Sequence, residues 1–271
     1  MHARFNLDPQ SRNWGKYVDV GKTIHSENKK VVQSDLDRFQ DADGVLEADK
    51  IIKGWFPAIQ ASVFLSHSHK DENMVIGLAG WLKEKFEIKS FIDSAVWGYS
   101  DELLKLIDDD YCKNSSMETY NYSMRNRSTS HVHMMLSMAI MDMVDQCECI
   151  IFVNTPSSFK PVDYFSKKQG ETESPWIYSE IAMTRMLRQR PIYEYRKKYA
   201  LDSDNVSLEH FQESKELNVR YPADLLHLTP LNVDDLDKWS EIESNKKRKA
   251  PALDSLYNMK KQVRPILQSV N

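Results

Sequence analysis

Val63-Phe64-Leu65-Ser66-His67-Ser68-His69-Lys70-Asp71 is the stretch whose reading decides the fold. Its opening apolar run suits a strand covered on both faces, as in a parallel sheet. The polar run after it marks the strand's carboxyl end. A helix comes next, because Met74, Leu78, Trp81, Leu82 and Lys85 recur at helical spacing. Ser68 and Asp71 have the spacing of a capping box, with Asp in place of Glu. Outward from this unit the alternation continues. Ser90-Phe91-Ile92-Asp93 reads as a second short strand, and a helix over 101–108 is expected with Ser100 as its N-cap. Residues 111–127 are rich in Tyr, Asn and Ser, lack periodicity, and read as a long surface loop. Ser128-Thr129-Ser130 then offers caps for a helix with Val132, Leu136, Ala139, Met143 and Cys147 on one stripe. Cys149-Ile150-Ile151-Phe152-Val153 is the clearest strand, and a further helix covers 175–188.

Strand and helix in alternation predict an α/β fold, a flavodoxin-like doubly wound parallel sheet. Such sheets bind ligands beyond the carboxyl ends of their strands. Those ends fall here at 66–71, 93–100 and 154–158. Residues 61–190 form the expected core. Residues 1–60 read as an N-terminal extension, with a helix over 27–40. Asp41-Ala42-Asp43-Gly44 fails as an EF-hand, since Phe39 and Lys50 would stand at ligand positions, and reads as a turn. Residues 191–271 are expected to complete the sheet, with a strand within 225–231 and a tail helix over 253–262.

Composition narrows the function. The chain has 271 residues, with 36 Lys+Arg against 40 Asp+Glu, a net charge of −4. A dedicated nucleic-acid binder shows a basic excess instead. No apolar run is long enough to span a membrane, and no apolar leader opens the chain. Cys112, Cys147 and Cys149 read as reduced thiols, so a cytoplasmic location is expected. Glycine is scarce, at 8 residues, and neither common phosphate-binding glycine motif occurs. No metal site is expected: Cys147-x-Cys149 has no second pair, and His131-x-His133 on a helix would point to different faces.

Several residues could carry chemistry. In Ser174-Pro175-Trp176-Ile177-Tyr178-Ser179-Glu180, Ser174 is a good N-cap and Pro175 fits the first helical position. Glu180 would then project from the edge of an apolar stripe made with Trp176, Met183 and Leu187. A carboxylate there is either functional or one that reaches solvent under the helix dipole. Ser66 and His67, at a strand end, suit a phosphate or a ribose, with capping and a solvated loop as the plainer alternative. Ser128-Thr129-Ser130-His131-Val132-His133, below Arg125 and Arg127, could bind an anion at a helix start, or simply cap it. Trp97 and Tyr99 could stack on a ring or pack locally. Lys246-Lys247-Arg248-Lys249 has the look of a nuclear-localisation or phosphate-binding run but, in a polar tail, reads first as a solvated charge cluster.

Together these motifs resemble a TIR (Toll/interleukin-1 receptor) domain over residues 61–190. The resemblance lies in Val63 to Asp71, in Phe91-Ile92-Asp93, in Ile150-Ile151-Phe152-Val153 and in Ser174-x-Trp176-x-x-x-Glu180. The sequence departs from the family at Ile177, where many relatives have Cys, and in Ser94-Ala95-Val96-Trp97-Gly98-Tyr99, which lacks the Pro-Gly of receptor members. The His-rich segments look more like bacterial stand-alone members. The resemblance implies cleavage of the nicotinamide–ribose bond, with NAD as substrate, no separate cofactor and Glu180 as the catalytic carboxylate. It implies substrate contacts from Ser66, His67, Asp93, Trp97, Tyr99, His131, His133 and Trp176. Such proteins act in antiphage defence, including Thoeris-type systems. There the product is a second messenger for a separate effector, a phage-derived activator is the trigger, and a homo-oligomer is expected. Two other classes stay open at this point: a non-catalytic TIR scaffold, and a nucleoside-processing transferase with a similar core.

Overall fold

A computed structural model of the chain describes residues 1–10, 12–28, 36–56, 60–114, 119–161, 169–196, 220–246 and 250–261. In order, its elements are β1 (Ala3–Asp8), α1 (Val18–Asn28), α2 (Ala48–Trp55), β2 (Val63–Ser66), α3 (Glu72–Phe86), β3 (Ser90–Ile92), α4 (Ser94–Tyr111), α5 (Tyr122–Gln146), β4 (Cys149–Val153), β5 (Lys160–Pro161), β6 (Gln169–Thr172), α6 (Pro175–Met186), α7 (Ile192–Arg196), β7 (Tyr221–Asp224), β8 (Thr229–Asn232), α8 (Val233–Ser244) and α9 (Ala252–Lys261).

The main sheet has five strands in the order β3-β2-β4-β1-β8, and every pair is parallel. Helices cover both faces, so this is a flavodoxin-like doubly wound sheet. Strand alternation sorts the side chains. Val63, Leu65, Ile92, Cys149, Ile151 and Val153 join Phe5 and Leu7 on one face, against residues of α3, α8 and α9. Phe64, Phe91 and Ile150 point the other way, against α2, α4 and α5. Ser66 follows Phe64 by two residues and so belongs to this second face. On the first face α1 crosses α3 at two glycines. A Cβ on Gly21 would stand 1.9 Å from the Ile76 carbonyl oxygen, and one on Gly80 would stand 2.0 Å from that of Tyr17. Only glycine permits that approach.

The chain leaves β2 for β3 on one side, then returns past β2 to β4 on the other. The switch point of the winding therefore lies between β2 and β4. The crevice at their carboxyl ends is where such sheets bind ligands. A second sheet, β5-β6-β7, is antiparallel and sits beside α6. Phe152, Phe159, Ile177, Ile181, Ala223, Leu225 and Leu228 form a separate apolar cluster there.

The structure corrects several expectations. Residues 1–60 are not an appendage: β1 lies inside the main sheet, between β4 and β8. Its alternating Phe5 and Leu7 are buried, while Arg4 and Asn6 are partly covered, so it lacks the apolar run of its neighbours. Residues 111–127 are not one long loop, because α5 starts at Tyr122 with Asn121 as its N-cap, the side chain accepting from Met124 N. Its first turns carry exposed polar residues, which hides them from a periodicity search. Likewise α4 starts at Ser94 behind Asp93, not at Asp101 behind Ser100. Ser68 makes no side-chain cap; only its carbonyl accepts, from Asp71 N. Residues 29–35 of the helix expected over 27–40 fall outside the described residues; the described helix α1 ends at Asn28, inside that span. The turn at Asp41 is present: its carboxylate accepts from Asp43 N and Val45 N, and Gly44 takes φ 77°. Strand β8 and helix α9 match the expected C-terminal strand and helix to within a few residues. No helix among the described residues is long and apolar enough to cross a membrane.

Candidate functional site at the carboxyl ends of the strands

Helix α6 is set by its first residues. Ser174 caps it, its hydroxyl accepting from Ile177 N at 3.3 Å, and Pro175 occupies the first turn. From there Ile177, Glu180, Ile181 and Thr184 fall on one stripe and are all buried. Glu180 is 1% exposed. It therefore lies inside the buried stripe of its helix, rather than at the edge of a Trp176, Met183 and Leu187 stripe. This burial aims its carboxyl at the end of β2, where the Ser66 hydroxyl donates to Oε2.

Two more buried polar groups converge here. His67 and Asp93 have side chains 1% and 2% exposed, and Nδ1 stands 2.5 Å from the Asp93 Oδ1. The approach has ion-pair distance without aligned hydrogen-bond geometry. Asp93 also accepts from Ser94 N at 2.9 Å, which fixes it at the start of α4. Burial alone lowers the His67 pKa, but the Asp93 carboxylate beside it outweighs this, and the net shift is upward. Glu180 moves well above the ordinary carboxylate value, first through burial and then through the negative charge of Asp93; the Ser66 hydroxyl opposes the rise, and a hydrogen bond between the two carboxyl groups adds to it. Both shifts favour the protonated forms, the imidazolium of His67 and the neutral acid of Glu180. Among the described residues, Glu180 Oε1 and His67 Nε2 have no hydrogen-bond partner. Orphaned polar atoms at this depth cost about 1–3 kcal/mol each, so they call for an explanation.

A cavity opens against Glu180. Ser66, Ile150, Phe152, Glu180, Ile181, Thr184 and Leu228 line it, and its volume is about 10 Å³. That is room for about one water. Leu228 closes it from the turn between β7 and β8. Arg185 and His227 hold that turn to α6. Arg185 pairs with the Asp224 carboxylate at 3.0 Å, and Thr184 Oγ1 meets His227 Nε2 at 2.7 Å. Arg185 Nε donates to His227 Nδ1 at 3.3 Å, so Nε2 carries the ring proton and donates to Thr184. Burial, then the Arg185 charge, lowers the His227 pKa to about 4 and keeps the ring neutral.

No family model, curated protein or solved structure matches the chain.

The structure thus brings Ser66, His67, Asp93 and Glu180 together at the switch point. The other residues named from sequence are elsewhere. Tyr99 is a core residue, 3% exposed, whose carbonyl accepts from Trp55 Nε1. It offers no open ring face. Trp97 lies in α4, and its side chain falls outside the described ones. His133 packs edge-on against Trp176, with centroids 5.6 Å apart, where α5 meets α6. His131 is exposed on α5. Ser128 is in mid-helix, so its segment presents no free N–H groups; its hydroxyl donates to the Asp108 carboxylate. That overturns an anion site there. Of the basic run at 246–249, residues 247–249 lie outside the described ones. The thiols are inert: Cys112, Cys147 and Cys149 are buried, and burial pushes Cys147 up to about 12. Among the described residues no group of three His, Cys, Asp or Glu could hold a metal.

Sequence reasoning missed Thr184 and Leu228. Thr184 stands one helical turn after Glu180, a spacing that could have found it. Leu228 had no local signal, because only the return of the chain through β7 brings it to the site.

Proposed function

We propose that the chain is a TIR-type enzyme that cleaves the nicotinamide–ribose bond of NAD, with Glu180 as the catalytic carboxylate. The observation that carries this reading is one buried carboxyl at the switch point, held by Ser66 through one oxygen and left open at the other. Bond cleavage of this kind passes through an oxocarbenium-like state, and an ionised Glu180 facing the ribose would stabilise the developing positive charge. Nicotinamide is a good leaving group, so no separate general acid is required. Ser66 orients the carboxyl, and Phe152 and Ile150 exclude water around it. The water-sized cavity requires the Leu228 turn to lift before a substrate ring can enter. The resemblance to bacterial stand-alone TIR proteins supports the wider proposal. It makes this a cytoplasmic, homo-oligomeric subunit that turns NAD into an ADP-ribose-derived messenger for a separate effector, on a phage-derived signal.

The test is incubation of activated protein with NAD and chromatographic separation of the products. Wild type is expected to release nicotinamide. Glu180→Gln keeps the shape but loses the charge, and is expected to be slower by about 10²–10³. Equal rates for the two proteins would remove Glu180 from catalysis.

A further inference from the structure

The turn between β7 and β8 lies over the open oxygen of Glu180, and it is built as a unit. Leu226 N donates to the Asp224 carboxylate at 2.8 Å, and Leu228 N donates to the Leu225 carbonyl at 3.0 Å. Leu228 is buried and lines the cavity beside Glu180, whereas Leu226 is exposed. Side-chain contacts tie this unit to α6, through the helical turn that follows Glu180. Arg185 reaches both the carboxylate and the carbonyl of Asp224, and its Nε donates to His227 Nδ1. His227 Nε2 donates to Thr184 Oγ1, which donates in turn to the Ile181 carbonyl at 2.7 Å. One hydrogen-bonded chain thus runs from the turn into α6. These ties are weak. The Arg185 and Asp224 side chains are 44% and 36% exposed, and an exposed ion pair contributes little. The His227 bond adds a modest amount, because water replaces it on opening. Beneath the closed turn, Glu180 Oε1 is buried without a partner among the described residues. Opening lets that oxygen meet water or a ligand, which offsets part of the apolar contact that Leu228 gives up. Weak polar ties over an unmet polar group favour local opening far below global unfolding.

We propose that residues 225–228 are a latched cover over Glu180, with Arg185 and His227 as the latch, and that releasing the latch opens the site while Glu180 stays in place. Ser66 holds the Glu180 carboxyl from β2, and α6 is capped at its own start, so neither depends on the turn. The hinges fall where the strand ladders take over. Strand β7 pairs with β6 up to Asp224, and β8 pairs with β1 from Thr229. Between these points the turn has no ladder to break. Closed, the cavity of about 10 Å³ excludes anything larger than a water. The latch therefore sets how often the carboxyl is reachable at all. That the cover admits NAD rests on the reading above; the cover itself rests on the geometry.

The test uses the native cysteines as a reference. Ser66→Cys puts a thiol in the cavity wall, while Cys112, Cys147 and Cys149 are buried elsewhere. The full chain with Ser66→Cys is treated with methyl methanethiosulfonate in the absence of NAD, and adducts are located by peptide mass spectrometry. The introduced thiol is expected to react slowly, and about tenfold faster once Arg185→Ala and His227→Ala are added. The three native thiols are expected to stay protected in both proteins. Amide hydrogen exchange is measured in parallel on the chain with Ser66 intact. There the two latch substitutions are expected to quicken exchange at 225–228 by a similar factor and to leave α3 unchanged. Labelling or exchange that ignores the latch overturns the proposal. So does labelling at the rate of a free thiol with the latch intact, because the site is then already open. Reaction of all four thiols at one rate also overturns it, since that is global unfolding and not a local cover. None of these readouts uses NAD. A protein whose labelling follows the latch but which never cleaves NAD refutes only the enzyme reading. One that cleaves NAD while its labelling ignores the latch refutes only this inference.

Discussion

Glu148 and Glu180 are both buried glutamates, 2% and 1% exposed, and they sit at opposite ends of one parallel sheet. Glu148 precedes β4 at its amino end. Both its oxygens are taken: Arg196 donates to each, at 2.6 and 2.9 Å, and the Tyr257 hydroxyl donates to Oε1 at 2.9 Å. Arg196 also reaches Asp254. Glu180 lies at the carboxyl end with one donor, Ser66, and one orphaned oxygen. The same residue type at the same burial is thus saturated at one end and left short at the other. A saturated buried charge ties α7 and α9 to the sheet. An unsaturated one stores an unmet interaction that a ligand can complete. The contrast singles out the carboxyl end as the candidate site more sharply than burial or pocket size does.

The contrast can be broken most severely at Glu148. Glu148→Ala removes the buried member of an ion pair whose Arg196 is partly exposed and keeps Asp254, and breaking a buried pair costs up to about 3–5 kcal/mol. Urea denaturation is expected to show a loss of that order, with NAD cleavage per folded molecule unchanged. A loss below about 1 kcal/mol would make the two glutamates energetically alike and dissolve the comparison.

The next effect is expected at the cover of the site. Leu228 is buried, and truncating a buried leucine costs roughly 2–5 kcal/mol. Leu228→Ala should therefore lower stability, but it should also enlarge the cavity beside Glu180 and lower the KM for NAD. A stability loss with a higher KM would show that Leu228 contributes contact rather than cover. The opposite face of the sheet supplies a control. Gly80→Ala improves helix propensity by about 1 kcal/mol, yet its Cβ would meet the Tyr17 carbonyl oxygen. Backbone overlap wins, with a net loss of roughly 1–3 kcal/mol and no change in NAD cleavage per folded molecule. Stability at or above wild type would mean that α1 and α3 can move apart freely.

Sequence made the sheet legible where strands are apolar throughout. Val63 to Leu65, Phe91-Ile92 and Cys149 to Val153 announce themselves, and their carboxyl ends mark the site. Ser174 and Pro175 likewise mark the start of α6, which carries Glu180. Strand β1 was illegible because Arg4, Asn6 and Asp8 interrupt Phe5 and Leu7. The first turns of α5 were illegible because they stand clear of the sheet and have no apolar stripe to show. The site was legible as a set of strand ends, but its cover was not. His67 pairs with Asp93, and Leu228 meets Glu180, only through tertiary folding. Local pattern carries no information on contacts between distant segments. Tyr99 shows the converse error: an aromatic near a strand end looked available for stacking, and it is core.

The smallest effect on stability is expected from Glu180→Gln at pH 5, within about 0.5 kcal/mol, because Gln resembles the neutral acid in shape and helix propensity. The pH dependence separates the two proteins. In the unfolded chain the carboxyl ionises near its ordinary value of 4.5, whereas in the fold it holds its proton to a higher pH. Between these values the folded state binds more protons than the unfolded state, so stability falls as pH rises. The contribution of Glu180 is therefore complete below pH 4.5 and drains away up to the folded value, at no more than about 1.4 kcal/mol per pH unit. His67, raised from 6.5, adds a slope of the same sign above that pH, but it does so in both proteins. The difference between the two stability curves thus isolates Glu180, and it should grow in favour of Glu180→Gln from pH 5 towards pH 8. Denaturant midpoints measured across that range decide the matter. Parallel curves for wild type and Glu180→Gln would mean that Glu180 is already ionised at rest, and that the carboxyl end of the sheet is as well compensated as the amino end.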